Sequence, residues 1–566
     1  MQGNIMMTSK PNSKMSAAKL LVEQLRTHGV ERIFCVPGES YLAVLDALVD
    51  APEIQVVTCR HEGAAAMMAD AYGRMTGQPG IAFVTRGPGA TNAAAGVHVA
   101  HQDSTPLILF VGDIDRAATR RDSFQEIDFE TMFQPITKFV AQITDGQRIP
   151  ELVGRAFYTA TAGRPGPVVL TLHEDMLFDD VEERPVRPYT PAIAAPSAEI
   201  VTTINTRLAE AARPVIIVGG GGWTAQAAKD LQSYAEARHI PVITSFRCTD
   251  YIDNESHAYI GNLGLGANPN LLKTVQEADL IVLLGGRLSE ISSNGFTLLT
   301  LPAPSQPMIH IHADPEELGR FYQPELAVNA NAAATAAALA ALEPSAKPAG
   351  LKRLHDLRDH YLAWTTPGQV YGDIQMGEIM LWLRHELPPD AIVTNGAGNF
   401  AIWPNRFHRY RGYGTQLAPR SGSMGYGIPA AIAAKINHPD RMVVCFAGDG
   451  DFMMTGAEMA TTMMQGAAII VILLNNSMYG TIRMHQERDF PTRVSATTLE
   501  NPDFVKFAEA FGAHAERVRK TADFAPAFER AVASKRAALI ELVMPPELIS
   551  PTETISSLRA KAKVRP

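Results

Sequence analysis

Two short apolar runs near the C-terminus, Arg441-Met442-Val443-Val444-Cys445-Phe446-Ala447 and Ala468-Ile469-Ile470-Val471-Ile472-Leu473-Leu474, constrain the fold more than any other feature. Each reads as a buried strand, the second strongly β-branched, and the pattern between them from about Thr455 to Gln465 is helical. Strand, helix and strand in that order make the two runs parallel neighbours, so both end at the same carboxyl edge of a sheet. The first run ends in Gly448-Asp449-Gly450, with Asp449 where strand meets loop, and the second ends in Asn475-Asn476. Open α/β sheets bind ligands at that edge.

The residue types there suit a hard cation. Mg²⁺ takes oxygen ligands in an octahedron and keeps phosphates or waters among them. The Asp449 carboxylate, the Asn476 amide oxygen and the Met478 main-chain carbonyl would serve, with a diphosphate supplying the rest. Gly-Asp-Gly and Asn-Asn are each more often ordinary turns when met alone. Here they stand at two successive strand ends.

Length and composition predict several domains: the chain has 566 residues, 46% of them hydrophobic and 19% charged. A net charge of −9 without a basic tract excludes nucleic acid and anionic membrane as partners. Four cysteines, Cys35, Cys59, Cys248 and Cys445, lack the spacing of zinc sites or a disulfide framework and fit a reducing cytoplasm. The N-terminal stretch has no signal-peptide core, no apolar run is long enough to span a bilayer, and the first dozen residues read as a loose tail.

Proline- and alanine-rich stretches from Glu183 to Pro196 and from Glu343 to Gly350 read as linkers. They divide the chain into parts at 15–183, 195–343 and 368–550, with a tail at 551–566. Each part alternates strand-like runs, such as Gly80-Ile81-Ala82-Phe83-Val84, Pro214-Val215-Ile216-Ile217-Val218 and Leu280-Ile281-Val282-Leu283-Leu284, with helical patterns. The expected fold class is α/β, with three doubly wound parallel-sheet domains.

In the first part, Glu62 opens the string Glu62-Gly63-Ala64-Ala65-Ala66-Met67-Met68 at a strand-to-helix junction. On local evidence a negative charge capping the helix is the stronger reading. The wider sequence shifts that balance. Gly-Asp-Gly, then 24 residues, then Asn-Asn resembles the signature of thiamine diphosphate-dependent enzymes. The segment Arg60-His61-Glu62-Gly63 to Tyr72-Gly73-Arg74 resembles the one that carries their activating glutamate. That family's glutamate hydrogen-bonds the cofactor's pyrimidine N1′, which makes Glu62 the leading catalytic candidate.

The likeness extends over nearly the whole chain and is strongest to the acetolactate synthase and pyruvate oxidase branch. It implies a pyrimidine-binding first domain, a middle domain and a diphosphate-binding third domain. Phe34-Cys35-Val36-Pro37-Gly38-Glu39 resembles a first glycine loop, giving Pro37 and Gly38 as cofactor contacts, and Thr85-Arg86-Gly87-Pro88-Gly89 a second. Asp122-Ser123-Phe124-Gln125-Glu126 matches the region that places a phenylalanine and a glutamine beside the reacting carbons. For Phe124 core packing competes with that role, and for Gln125 a loop hydrogen bond. Lys138, His98, His101 and His485 carry less weight. In the third part, Met424 matches the apolar residue under the bend between the cofactor rings, and Gly422 the residue whose carbonyl accepts from the exocyclic amine. Gly398 and Asn399 resemble a further loop near the diphosphate, joined there by Gly448, Gly450, Asp451, Tyr479 and Gly480.

The middle part carries Gly219-Gly220-Gly221-Gly222 after a strand, a weak dinucleotide signal. Relatives in this branch bind FAD there, so FAD stays open beside thiamine diphosphate and Mg²⁺. The chain departs from the acetolactate synthase pattern at Gly398-Asn399-Phe400-Ala401, where Gly-Gln-His-Gln is usual, and at Met484-His485-Gln486-Glu487, where Gln-Trp-Gln is usual. The resemblance implies decarboxylation of a 2-oxo acid with carboligation; simple decarboxylation, pyruvate oxidation and C–C lysis or hydrolysis are the alternatives within the family. An oxidoreductase centred on the middle domain, or a binding homologue without turnover, are the alternatives outside that chemistry. It also implies that Glu62 serves the cofactor of another subunit, so that a homodimer is the minimum and a homotetramer the fuller assembly. These motifs do not encode whether a regulatory subunit joins it.

Overall fold

The computed structural model describes residues 14–183, 186–343 and 350–562. The expected N-terminal tail lies outside them, as do Arg184 and Pro185 of the first linker and residues 344–349 of the second.

The strand-like runs form three six-stranded sheets in which every ladder is parallel. The first runs, edge to edge, through Gln55–Thr58, Arg32–Cys35, Gly80–Val84, Leu107–Asp113, Pro167–His173 and Phe139–Ile143. The second runs through Tyr259–Asn262, Val242–Thr244, Pro214–Val218, Leu280–Leu284, Met308–His312 and Leu326–Asn329. The third runs through Gln416–Leu417, Ile392–Asn395, Val443–Gly448, Ile470–Asn475, Ala538–Val543 and His514–Val518. Central strands such as Gly80–Val84, Pro214–Val218 and Val443–Gly448 are buried along their whole length, because helices cover both faces. Each fully buried Ile or Leu in them contributes about 1.5–3 kcal/mol of apolar burial.

Small side chains join the first and third domains. The helix Glu62–Thr76 packs on the helix Gly427–Asn437, and Ala65, Ala66, Ala430 and Ala434 are all fully buried in one core that spans both domains. Polar clamps fix the contact: the Tyr426 hydroxyl donates to Asp70 at 2.7 Å, and Arg74 donates to the carbonyls of Ala418 and Arg247 at 2.6 Å each.

Three details depart from expectation. The helical pattern expected from about Thr455 to Gln465 is there as Gly456–Glu458 and Met459–Met464, but a further helix, Asp449–Thr455, precedes it directly after Gly448. Asp449 and Asp451 sit in its first turn, where negative charge faces the amide ends of the helix. The expected C-terminal tail at 551–566 contains a helix, Ile555–Lys561, with a capping box between Thr554 and Ser557. Arg559 holds it to Glu487 by two bonds of 2.7 Å, and Glu487 is fully buried beneath. Leu351–Trp364, outside the expected domain ranges, packs on the middle sheet, where Arg358 donates to the carbonyls of Tyr259 (2.8 Å) and Asn254 (2.7 Å). All four cysteines are free and buried, and among the described residues no helix is long and apolar enough to cross a membrane.

Candidate functional site

A cavity of about 260 Å³ opens at the carboxyl edge of the third sheet. It lies at the point where the chain order reverses, between the strands Ile392–Asn395 and Val443–Gly448, which is where doubly wound sheets bind ligands. Every cofactor-binding candidate from the third part lines it: Gly398, Asn399, Gly422 and Met424 on one side; Gly448, Asp449, Gly450 and Asp451 in the floor; Asn476, Met478, Tyr479 and Gly480 opposite. Phe400, Trp403, Leu474, Met544, Leu548 and Ile549 add an apolar wall that short motifs did not indicate.

Hydrogen bonds fix the floor. Asp449 is 2% exposed, its Oδ1 accepts from the Gly450 amide at 3.0 Å and its Oδ2 from the Asn501 side-chain amide at 2.8 Å. Asn501 also donates to Asn475 Oδ1 at 3.0 Å, so one side chain ties the Gly-Asp-Gly turn to the Asn-Asn turn. Burial raises the Asp449 carboxyl above its ordinary value, and it has no cationic partner among the described residues. A buried carboxylate in that state, beside the Asn476 amide and the Met478 carbonyl, is a donor set that fits Mg²⁺. Asp451 does different work. It accepts from the amides of Ala397 (3.0 Å) and Gly425 (2.9 Å), pulling two loops together over the floor. Burial pushes its carboxyl up to about 7.

The wall opposite is held from behind. Tyr479 N donates to the Thr497 carbonyl at 3.0 Å and Leu499 N to the Ser477 carbonyl at 2.9 Å, which sets the Met478 loop against residues 497–499. Asn501 and Thr497 gave no sequence signal beyond a turn. Their partners lie tens of residues away, beyond any local pattern.

The candidates of the first part do not line this cavity. Pro37 and Gly38 follow the strand Arg32–Cys35, with Pro37 exposed. Glu62 begins its helix half-buried and accepts from Asn92 Nδ2 at 2.9 Å. Phe124 is 74% exposed, so core packing does not account for it. Gln125 takes a positive φ of 64° and presses on Gly87, where a Cβ would come within 2.7 Å of its own Cβ. That contact and the Gly87 φ of 52° explain the glycine. The Arg60 and His61 amides donate to Glu458 at 3.0 Å each, fastening the Glu62 junction to the helical segment that follows the floor. Lys138 donates to the Ala162 carbonyl at 2.5 Å, and burial lowers it to about 8. Burial, with Arg164 nearby, lowers His101 to about 4, and His485 pairs with Arg488 at 2.8 Å. None of these four weaker candidates, His98 included, lines the cavity.

Comparison with known proteins matches the same three regions. Residues 15–132 match the family described as thiamine pyrophosphate enzyme, N-terminal TPP binding domain; residues 201–339 its central domain; residues 396–542 its C-terminal TPP binding domain. The acetolactate synthase large subunit of Parasynechococcus marenigrum is 33% identical over 88% of this chain and 82% of its own length. A probable acetolactate synthase large subunit of Methanocaldococcus jannaschii is 30% identical over 97% of each chain. The acetolactate synthase isozyme 2 large subunit of Escherichia coli is 31% identical over 89% of this chain and 91% of its own. With the cavity floor falling inside the C-terminal match and Glu62 inside the N-terminal one, the chain belongs to the thiamine pyrophosphate enzyme family.

Proposed function

We propose that this protein decarboxylates a 2-oxo acid with thiamine diphosphate and Mg²⁺ and joins the remaining fragment to an acceptor, in the manner of acetolactate synthases. The observation that carries this reading is the convergence of twelve sequence-selected residues on one cavity whose floor is a buried carboxylate without a cation. Thiamine diphosphate, when bound, supplies an electron sink next to the substrate carbonyl. The chain's residues bind and orient. Asp449, Asn476 and the Met478 carbonyl would hold Mg²⁺, which would neutralise the diphosphate, and Gly398, Asn399, Gly448, Gly450, Asp451, Tyr479 and Gly480 line the cavity that would take them. Met424, apolar and adaptable, supports the cofactor without competing for its polar atoms, and Gly422 offers its carbonyl. Glu62 would hold the proton at the pyrimidine nitrogen, with Pro37 and Gly38 as further cofactor contacts and Phe124 and Gln125 on the substrate side.

The division of candidates supports a shared site. Twelve line the cavity of their own chain and five, from Pro37 to Gln125, do not. In this reading Glu62 and its neighbours serve the cavity of a second copy, which makes a homodimer the working unit and a homotetramer its natural extension. The relatives' names, as large subunits, support a smaller regulatory chain as a further partner. Free buried cysteines suit a reducing cytoplasm.

The acceptor side is where this chain departs from the acetolactate synthase pattern. The two strings that depart from the acetolactate synthase pattern meet here: Thr481 donates to Asn399 Oδ1 at 2.9 Å, and Asn399 Nδ2 lies 3.7 Å from Met484 Sδ. Flavin is not part of this reading, and the visible spectrum of the purified protein tests for it.

The test is CO₂ release from pyruvate and a panel of larger 2-oxo acids, with and without thiamine diphosphate and Mg²⁺, followed by identification of the products. Turnover that requires both additions, with a ligated product, is the expected result. Turnover that persists after both are removed would instead point to an oxidoreductase centred on the middle domain.

A further inference from the structure

A glutamate in the first turn of a helix ordinarily serves the free amides of that end. In the helix Glu62–Thr76 other groups do this work. His61 is the N-cap, and its Nδ1 accepts from the Gly63 amide at 3.0 Å. The amides of Arg60 and His61, just ahead of the helix, both donate to one oxygen of Glu458, its Oε1, at 3.0 Å each. The Glu62 carboxyl instead meets a side chain, accepting from Asn92 Nδ2 at 2.9 Å. The helix end is satisfied without Glu62, whose carboxyl does no capping.

Glu458 reaches this junction from another domain. It ends the short turn Gly456–Glu458, directly after the helix Asp449–Thr455 whose first turn forms the cavity floor. At the end of that helix, Thr455 donates to the Gly425 carbonyl at 2.7 Å, next in the chain to Met424. One stretch, 449–458, therefore carries the floor, holds the loop of Met424 and anchors the start of the Glu62 helix. Glu458 is fully buried, and its second oxygen accepts from the Thr461 hydroxyl at 2.6 Å. Burial raises its carboxyl above the ordinary value, and the three hydrogen bonds work against that. What the position supplies to the two amides is an oxygen acceptor, fixed in a core where an unpaired amide would be costly.

We propose, on the shared-site reading above, that Glu458 is a positioning residue for Glu62: it sets the backbone from which that carboxyl projects toward a cofactor held by a second copy. The arrangement is crossed. Glu458 follows the floor of its own chain's cavity, yet acts on the partner's site through the Glu62 that its chain lends. A misplacement of about 1 Å can cost on the order of 10²-fold in rate, so loss of the anchor appears in turnover and not in cofactor binding.

The test uses Glu458→Met, which fills the same space without an oxygen acceptor, and Glu458→Gln, which keeps one. Glu458→Met should lower kcat by about 10–100-fold, with KM and the calorimetric affinity for thiamine diphosphate and Mg²⁺ within about threefold of wild type. Amide hydrogen exchange at residues 60–63, measured on the protein without cofactor, should rise by about tenfold or more. Glu458→Gln should restore both turnover and protection. Co-expressed with Asp449→Asn, Glu458→Met should recover about a quarter of wild-type activity, because each mixed dimer then holds one intact cavity served by an anchored Glu62. Co-expressed with Glu62→Gln it should recover nothing. Recovery with Glu62→Gln but not with Asp449→Asn would assign Glu458 to its own floor, and unchanged exchange at residues 60–63 would remove it as an anchor. Either result overturns the proposal and leaves the shared site standing, whereas a mixture of Asp449→Asn with Glu62→Gln that gains nothing overturns the shared site itself.

Discussion

The two halves of the candidate site are built on different principles. The Asp449 half is finished within one chain: its floor is buried, its loops are pinned through Asp451 and Asn501, and its cavity is open and shaped. The Glu62 half has no such closure. Phe124 stands 74% exposed, Pro37 is exposed, and Glu62 meets Asn92 but does not line the cavity over Asp449. Metal and diphosphate demand fixed oxygen geometry, and burial provides it. A proton-handling carboxylate and substrate-facing side chains must instead meet groups that arrive from outside. One half is an interior feature and the other a surface poised for apposition.

The largest test of this contrast separates the halves onto different chains. Asp449→Asn should abolish activity, and Glu62→Gln should lower it about 10²–10⁴-fold, the range for losing a positioned acid or base. Co-expressed and co-purified, the two inactive variants should recover about a quarter of wild-type activity. Half of randomly assorted dimers are mixed, and each mixed dimer holds one site with both residues intact. If Glu62 served the cavity of its own chain, mixing would restore nothing, and measured turnover of the mixture would show it.

A smaller effect is expected at Asn501. It touches Asp449 and Asn475 but belongs to neither turn, so it acts by orienting groups that hold the cation. Asn501→Ala should weaken Mg²⁺ by about 10–100-fold, as loss of an outer-shell partner does. The activity should return at high Mg²⁺ with kcat near wild type. A fall in kcat that added Mg²⁺ cannot repair would place Asn501 in contact with cofactor or substrate instead.

The same contrast explains what the sequence disclosed. Strands such as Val443–Gly448 and Pro214–Val218 were legible because burial on both faces writes an unbroken apolar run. The cavity floor was legible because its residues sit at strand ends, at fixed distances along the chain. Asn501 was not, because its role comes from a contact with Asp449 across 52 residues that no periodicity reports. The helix Ile555–Lys561 was hidden for a related reason. Its polar, basic sequence reads as loose, and its order depends on the buried Glu487 paired with Arg559, together with Ile555 and Leu558 packing near Met478. Burial speaks through local composition, whereas long-range polar pairing does not.

Phe124 gives the subtlest way to sharpen the comparison, because its two roles predict opposite patterns. A phenylalanine in a core costs several kcal/mol when truncated to alanine. At 74% exposure Phe124 has little to lose, so Phe124→Ala should leave the unfolding free energy of the chain within about 0.5 kcal/mol of wild type. If the side chain is covered only when a second copy and a substrate arrive, its removal appears in kcat/KM, by up to about tenfold, with the larger loss for bulkier 2-oxo acids. Denaturant unfolding of the purified variant and kcat/KM across substrates of increasing size measure both sides. A variant that unfolds easily yet retains its kcat/KM would move Phe124 from the substrate to the scaffold, and would leave Gln125, held at positive φ against Gly87, as the residue of that loop placed to act.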